Sequence, residues 1–191
     1  MATGQMAFAA KMKSFDELNP YAPDIEQTLK EMDLDYKKET GKSPFLERAE
    51  SLNKILKSCY QRSCAVFISV DKATQTAELF INGYPTLAFK ISSGTETHPT
   101  PDFDRNPNGR IYDAYSSQKY PGGENYNGLG NMPYAIFIHV GFALHGTPSG
   151  NWSRLGTPAS HGCIRMHPDN ALIFNGLVRQ YGHMNTWITI R

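Results

Sequence analysis

The chain has 191 residues, 40% of them hydrophobic and 19% charged, which is enough apolar material to pack one domain, with or without an extension, and excludes global disorder. Nineteen basic against 18 acidic residues leave a formal charge of +1. Composition therefore forces no basic face, and nucleic acid is not expected as a partner.

In chain order, residues 1–60 read as a helical N-terminal extension. No cationic start and no apolar stretch of an export signal stand out, although "AFA" at 7–9 has the small-x-small form of a cleavage site. The chain is thus expected to be either cytoplasmic or the mature form of an exported protein. After Pro23 and Asp24, Ile25, Leu29, Met32 and Tyr36 recur at helical spacing, with Gly41 as a stop. Ser43 and Pro44 predict a second helix start, followed by a stripe of Phe45, Ala49, Leu52 and Leu56. Cys59 and Cys64 lie close together in "CYQRSC". Paired, they leave Cys163 as the odd thiol; reduced, they are half-buried residues at a helix-to-strand junction, and both readings stand. So short a loop gains about 2 kcal/mol or less from closure.

At Cys64 the period changes. "AVFISV" reads as a buried strand, and "TAELFINGYPTLAFKIS" as two strands around Asn82-Gly83, a type I′ hairpin signal. Residues 92–132, rich in Gly, Pro, Asn and Tyr, form a loop long enough to be functional or to carry short elements of its own. "YAIFIHVGFALHG" resumes strand character. "HPDNALIFNGLVRQYG" predicts a helix, with Pro168 and Asp169 at its start and Ala171, Leu172, Leu177 and Val178 on apolar positions. "TWITIR" closes the chain as an alternating strand. The expected organisation is a mainly β (α+β) domain over 64–191 with the helical extension at 1–60. No apolar run reaches membrane-spanning length.

The chemistry concentrates in "PASHGCIRM" at 158–166. A cysteine attacks as its thiolate and needs a nearby imidazole, cation or helix N-terminus to form it. His161, Arg165 and the helix near Pro168 offer all three around Cys163. Gly162 allows a sharp turn whose N–H groups could form an oxyanion hole. His145, ending an apolar strand before Gly146 and Thr147, suits a general base, with a ring nitrogen held by a carbonyl such as that of Gly146. Zinc is a rival, because His139, His145, His161, Cys163 and His167 are five possible ligands in thirty residues. However, the sequence has no Cys-x-x-Cys or His-Glu-x-x-His spacing, and no acidic residue between His139 and Cys163. Neither a metal nor a cofactor is expected.

"HGTPSGNWSRLGTPASHGCIRM" resembles the active-site signature of the L,D-transpeptidases of the YkuD family: His-Gly-Thr, a variable loop, then Ser-His-Gly-Cys-Ile/Val-Arg. "VFISVDKATQTAELFINGYPTLAFKISSGT" is similar to the family's opening strands, and "MPYAIFIHVGFALHG" to the strand pair before its first histidine. The resemblance covers residues 64–191 and implies a YkuD-like β-sandwich or barrel with a helix after the cysteine. It also implies an acyl transfer on peptidoglycan stem peptides. The cysteine attacks the carbonyl before a fourth-position D-Ala, D-Ala leaves, and an amine resolves the thioester as a 3→3 cross-link. Water in place of the amine gives a carboxypeptidase or endopeptidase, and other members attach or detach a lipoprotein. A non-catalytic wall-binding protein is the rival from another class.

By position, the resemblance makes Cys163 the nucleophile and His145 the base, with His161 and Gly162 shaping the pocket and supplying oxyanion contacts. Ser160, Arg165, Gly146, Tyr134 and Trp152 are the expected substrate-binding positions. For Arg165 a structural ion pair is the alternative, and for Tyr134, Trp152 and Met132 it is core packing. "TPDFDRNPNGR" and "YSSQKYPGGENYNGLGN" depart from the family's compact loops. The implied location is periplasmic or cell-envelope rather than cytoplasmic, with a protein partner open for the extension.

Overall fold

The computed structural model describes residues 18–46, 59–113 and 130–191. Helix α1, Ile25–Thr40, buries Ile25, Leu29, Met32 and Tyr36, the predicted stripe. Gly41 ends it in the left-handed region, its N–H donating to Lys37 O at 2.9 Å. The helix start predicted at Ser43-Pro44 is not there. Phe45 instead makes an antiparallel bridge to Arg110, and Pro44 O accepts from Ile111 N, so these backbone groups serve β-type pairing. Ala49, Leu52 and Leu56 fall outside the described residues. Cys59 and Cys64 form a disulfide, with Cα atoms 4.8 Å apart, which decides between the two readings of that pair.

Eight strands follow: β1 Val66–Asp71, β2 Thr76–Ile81, β3 Tyr84–Ser92, β4 Phe103–Arg105, β5 Ile136–His139, β6 Phe142–Gly146, β7 Ile164–Met166 and β8 Thr186–Ile190. They make one sheet in the order β4-β8-β1-β2-β3-β7-β6-β5, curled into a nearly closed barrel. β1 with β8 and β6 with β7 are parallel, and the other pairs are antiparallel. The β2–β3 turn places Asn82 and Gly83 at φ 50° and 83°, the two positive angles that a type I′ turn demands. The long 92–132 stretch carries β4 and a bridge between Ile111 and Ile136.

Two apolar clusters share the sheet. The first fills the barrel with Val66, Ile68, Val70, Leu79, Ile91, Leu144, Ile164, Met166, Ile188 and Ile190. Helix α2, Pro168–Tyr181, adds Ala171, Phe174 and Val178 to it. Leu172, predicted apolar, is exposed together with Ile173, so the helix buries a narrower stripe centred on Phe174. The second cluster lies where α1 covers the outer side of β5 and β6: Leu18, Ile25, Leu29, Met32, Tyr36, Tyr112, Met132, Phe137, Ala143 and Cys163. Asp33 of α1 and Arg110 pin this layer down, with Nε–Oδ1 and Nη2–Oδ2 both 2.9 Å. No helix among the described residues is long and apolar enough to cross a membrane.

Candidate active site

The site is built by one register. β6 and β7 run parallel with Leu144 opposite Ile164, His145 opposite Arg165 and Gly146 opposite Met166. Leu144, Ile164 and Met166 enter the barrel cluster. Because successive strand residues face opposite ways, His145 and Arg165 share the other face with Ala143 and Cys163, both in the second cluster. Cys163 immediately precedes β7, and ordinary strand spacings put its Cα about 8 Å from that of His145. Residues 18 apart in sequence thus meet on one face.

His145 is wholly buried, with Nδ1 2.7 Å from Gly146 O. A carbonyl only accepts, so Nδ1 carries the hydrogen and Nε2 is the basic nitrogen. The Cys163 thiol donates to Gly141 O at 3.5 Å, at the β5–β6 turn.

The turn before Cys163 is held from several sides. The Ser160 hydroxyl donates to Cys163 O at 2.5 Å and accepts from Gly162 N at 3.1 Å. Gly162 has φ +116°, a conformation that a side chain resists. Its amide is engaged by Ser160, so what Gly162 brings to the site is the turn itself. Ser93 O accepts from Ala159 N and Ser160 N. Thr100 Oγ1 accepts from Gly94 N and donates to Gly162 O, both at 2.8 Å. Arg165 is 2% exposed and donates from Nη1 to Ala159 O at 2.8 Å. Its guanidinium is tied in this way to the backbone of the turn.

The remaining expected positions scatter. His161 is half-buried, with its ring 5.0 Å from that of His98. Trp152 lies on the 3-10 turn Ser149–Arg154, partly exposed. Its Nε1 donates to Thr147 O at 2.8 Å, and its ring centroid is 4.4 Å from that of His167. Tyr134 packs half-buried against the barrel cluster, and Met132 is buried in the second. His139 is exposed at the end of β5, and His167 caps α2. No group of three or more His, Cys, Asp or Glu among the described residues could hold a metal ion.

Sequence reasoning missed Thr100, His98 and the carbonyl of Gly141, and it did not connect Pro20 and Tyr21 with Cys163. A Cβ at Gly162 would lie 3.2 Å from the Tyr21 ring and 3.4 Å from Pro20. No local pattern announces a contact across some 140 residues.

Residues 65–188 match the model of the YkuD family, the L,D-transpeptidase catalytic domain. Among solved structures, L,D-transpeptidase 3 from Mycobacterium tuberculosis is 19% identical, with a TM-score of 0.51 over 67% of this chain and 61% of that one. Another L,D-transpeptidase, from M. tuberculosis H37Rv, is 19% identical at TM-score 0.50, over 67% and 58%. The catalytic domain of the E. faecium L,D-transpeptidase is 24% identical at TM-score 0.50, over 66% of this chain and 96% of that one. At these identities the likeness bears on the fold. The chain spans about three fifths of the length of the mycobacterial structures, and no curated protein matches it. On the match to 65–188, the chain belongs to the YkuD family of L,D-transpeptidase catalytic domains.

Proposed function

We propose that the protein is a cysteine acyltransferase of peptidoglycan stem peptides, acting in the periplasm or cell envelope. The observation that carries this reading is the parallel register of β6 and β7, which sets His145 opposite Arg165 with Cys163 just before β7, together with His145 Nδ1 tied to Gly146 O. His145 Nε2 takes the thiol proton, and the thiolate attacks the carbonyl between the third residue and D-Ala. The C–N bond breaks, the proton passes to the departing D-Ala amine, and a thioester remains on Cys163. The side-chain amine of a second stem then attacks the thioester, forming a 3→3 amide and restoring the thiol. The Cys59–Cys64 disulfide suits an oxidising compartment.

Purified muropeptides test this. Wild type yields a 3→3 dimer and free D-Ala, and a carbapenem leaves a stable adduct by intact mass. Cys163→Ala yields neither, and His145→Ala slows turnover about 10²–10⁴-fold. A tripeptide without dimer would assign the same site to hydrolysis. Binding to peptidoglycan without turnover would leave a scaffold protein.

A further inference from the structure

The nucleophile proposed above is 1% exposed. For attack, a substrate carbonyl carbon has to come within about 3–3.5 Å of its sulfur. What stands in the way is the chain's own segment Leu18–Ile25. A Cβ at Gly141, whose carbonyl accepts from the Cys163 thiol, would meet Ile25 Cδ1 at 2.7 Å and Pro20 Cα at 3.1 Å. Gly162, on the other side of the thiol, carries the rings of Tyr21 and Pro20 at the distances given above. Both backbone stretches that flank the sulfur are therefore glycine where this segment crosses them.

We propose that Leu18–Asp24 is an autoinhibitory plug, seated in the groove by which an acyl donor reaches Cys163, and that the chain turns over only when the plug lifts. Its hold is uneven in a way that suits a hinge. From Ile25 onward α1 is buried along one face and clamped by Asp33 and Arg110. Before Ile25 the hold is patchier: Leu18 and Pro20 are buried and Ala22 packs on the second cluster, while Tyr21, Pro23 and Asp24 are exposed. Tyr21 is 45% exposed; its ring meets Phe142 edge-on at 5.4 Å, and its hydroxyl donates to Pro99 O. Leu18 N donates to the thioether of Met132 at 3.4 Å, a weak acceptor. The plug can leave while the helix stays. The groups it would uncover, the backbones of Gly141 and Gly162 and the rings of Phe142 and His98, with His161 beside His98, are small or aromatic and suit an extended peptide.

This inference rests on the acyl-transfer reading, but its test does not need turnover. Cys163 is the chain's single free thiol, so alkylation by iodoacetamide, read by intact mass, reports access to it alone. Tyr21→Ala removes the ring and the hydroxyl contact. Gly141→Ala drives a methyl into Pro20 of the plug and into Ile25 at the hinge. Each is expected to raise the alkylation rate at least tenfold over wild type at a temperature where circular dichroism shows the fold intact, with Tyr21→Phe staying near wild type. Rates equal to or below wild type in both variants would overturn the plug, even if Cys163-dependent cross-linking were found. Faster alkylation with no muropeptide product would keep the plug and sink the acyl-transfer reading.

Discussion

Thr100 shows how much one hydroxyl can set. It is buried, takes the N–H of Gly94 and gives its hydrogen to Gly162 O. In a trans peptide the C=O and the following N–H point opposite ways. Holding Gly162 O therefore also fixes the direction of the Cys163 N–H, the amide that the proposed acyl transfer would use to hold the charge developing on a substrate oxygen. Thr100→Val keeps the shape and removes both bonds. It should lower kcat about tenfold with little change in KM, the signature of a contact made in the transition state, and Thr100→Ser should restore most of the rate. A loss confined to KM would show that Thr100 serves binding only. The residue sits in "TPDFDRNPNGR", which by sequence alone is merely a departure from a compact loop. By contrast, Cys163 and His145 are legible because their motif is contiguous and their strand register is short-range. Tyr21 and Pro20 are not, because their partners are made by tertiary packing with no periodicity behind it.

Among the elements, α1 is held by charge as well as apolar area. Asp33 and Arg110 are each about 15% exposed and bidentate, and the Tyr112 hydroxyl adds a 2.5 Å donation to Asp33 Oδ1. Taking away Asp33 leaves Arg110, which also lies over the Phe45 and Phe137 rings, without its carboxylate. Removing one partner of a buried pair costs about 3–5 kcal/mol, and the residual exposure here lowers that to about 2–3 kcal/mol. Asp33→Ala should show that loss in urea unfolding. Amide exchange over 25–40 should rise while β1 and β8 keep their protection, since the barrel core does not include the clamp. Uniform exchange across helix and barrel would mean that α1 and the sheet unfold as one unit. The helix itself is readable from Ile25, Leu29, Met32 and Tyr36, because a 3.6-residue period survives in the sequence. The failed helix start at Ser43-Pro44 marks the limit of such signals. A good cap and a proline at the right spacing lose to the pairing of Phe45 with Arg110, a partner 65 positions away.

At the scale of the whole molecule, the edge strand β4 is fastened to its neighbour β8 at a single carboxylate. Asp104, on edge strand β4, accepts from Trp187 Nε1 at 2.7 Å and Thr189 Oγ1 at 2.8 Å, both on β8. It also accepts from the Tyr60 hydroxyl at 2.9 Å, next to the disulfide-bonded Cys59. Burial opposes its ionisation, but donation from Trp187, Thr189, Tyr60 and Gln61 outweighs it and pulls the carboxyl down to about 2. An unfolded aspartate titrates near 3.9. With the folded value below the unfolded one, the contribution is fully present above about pH 4 and is lost as pH falls towards 2. Thermal unfolding between pH 5 and pH 2 should therefore fall less steeply for Asp104→Asn than for wild type. The variant should be the less stable protein at pH 6 and close to wild type near pH 2. Parallel curves for the two proteins would show that some other carboxylate carries the acid sensitivity of the barrel. Because β4 and β8 are joined here while His145 lies on β6 and Cys163 just before β7, across the sheet, the substitution should leave the Cys163 alkylation rate at pH 7 unchanged. That result would separate the fastening of the barrel's edge from access to the site.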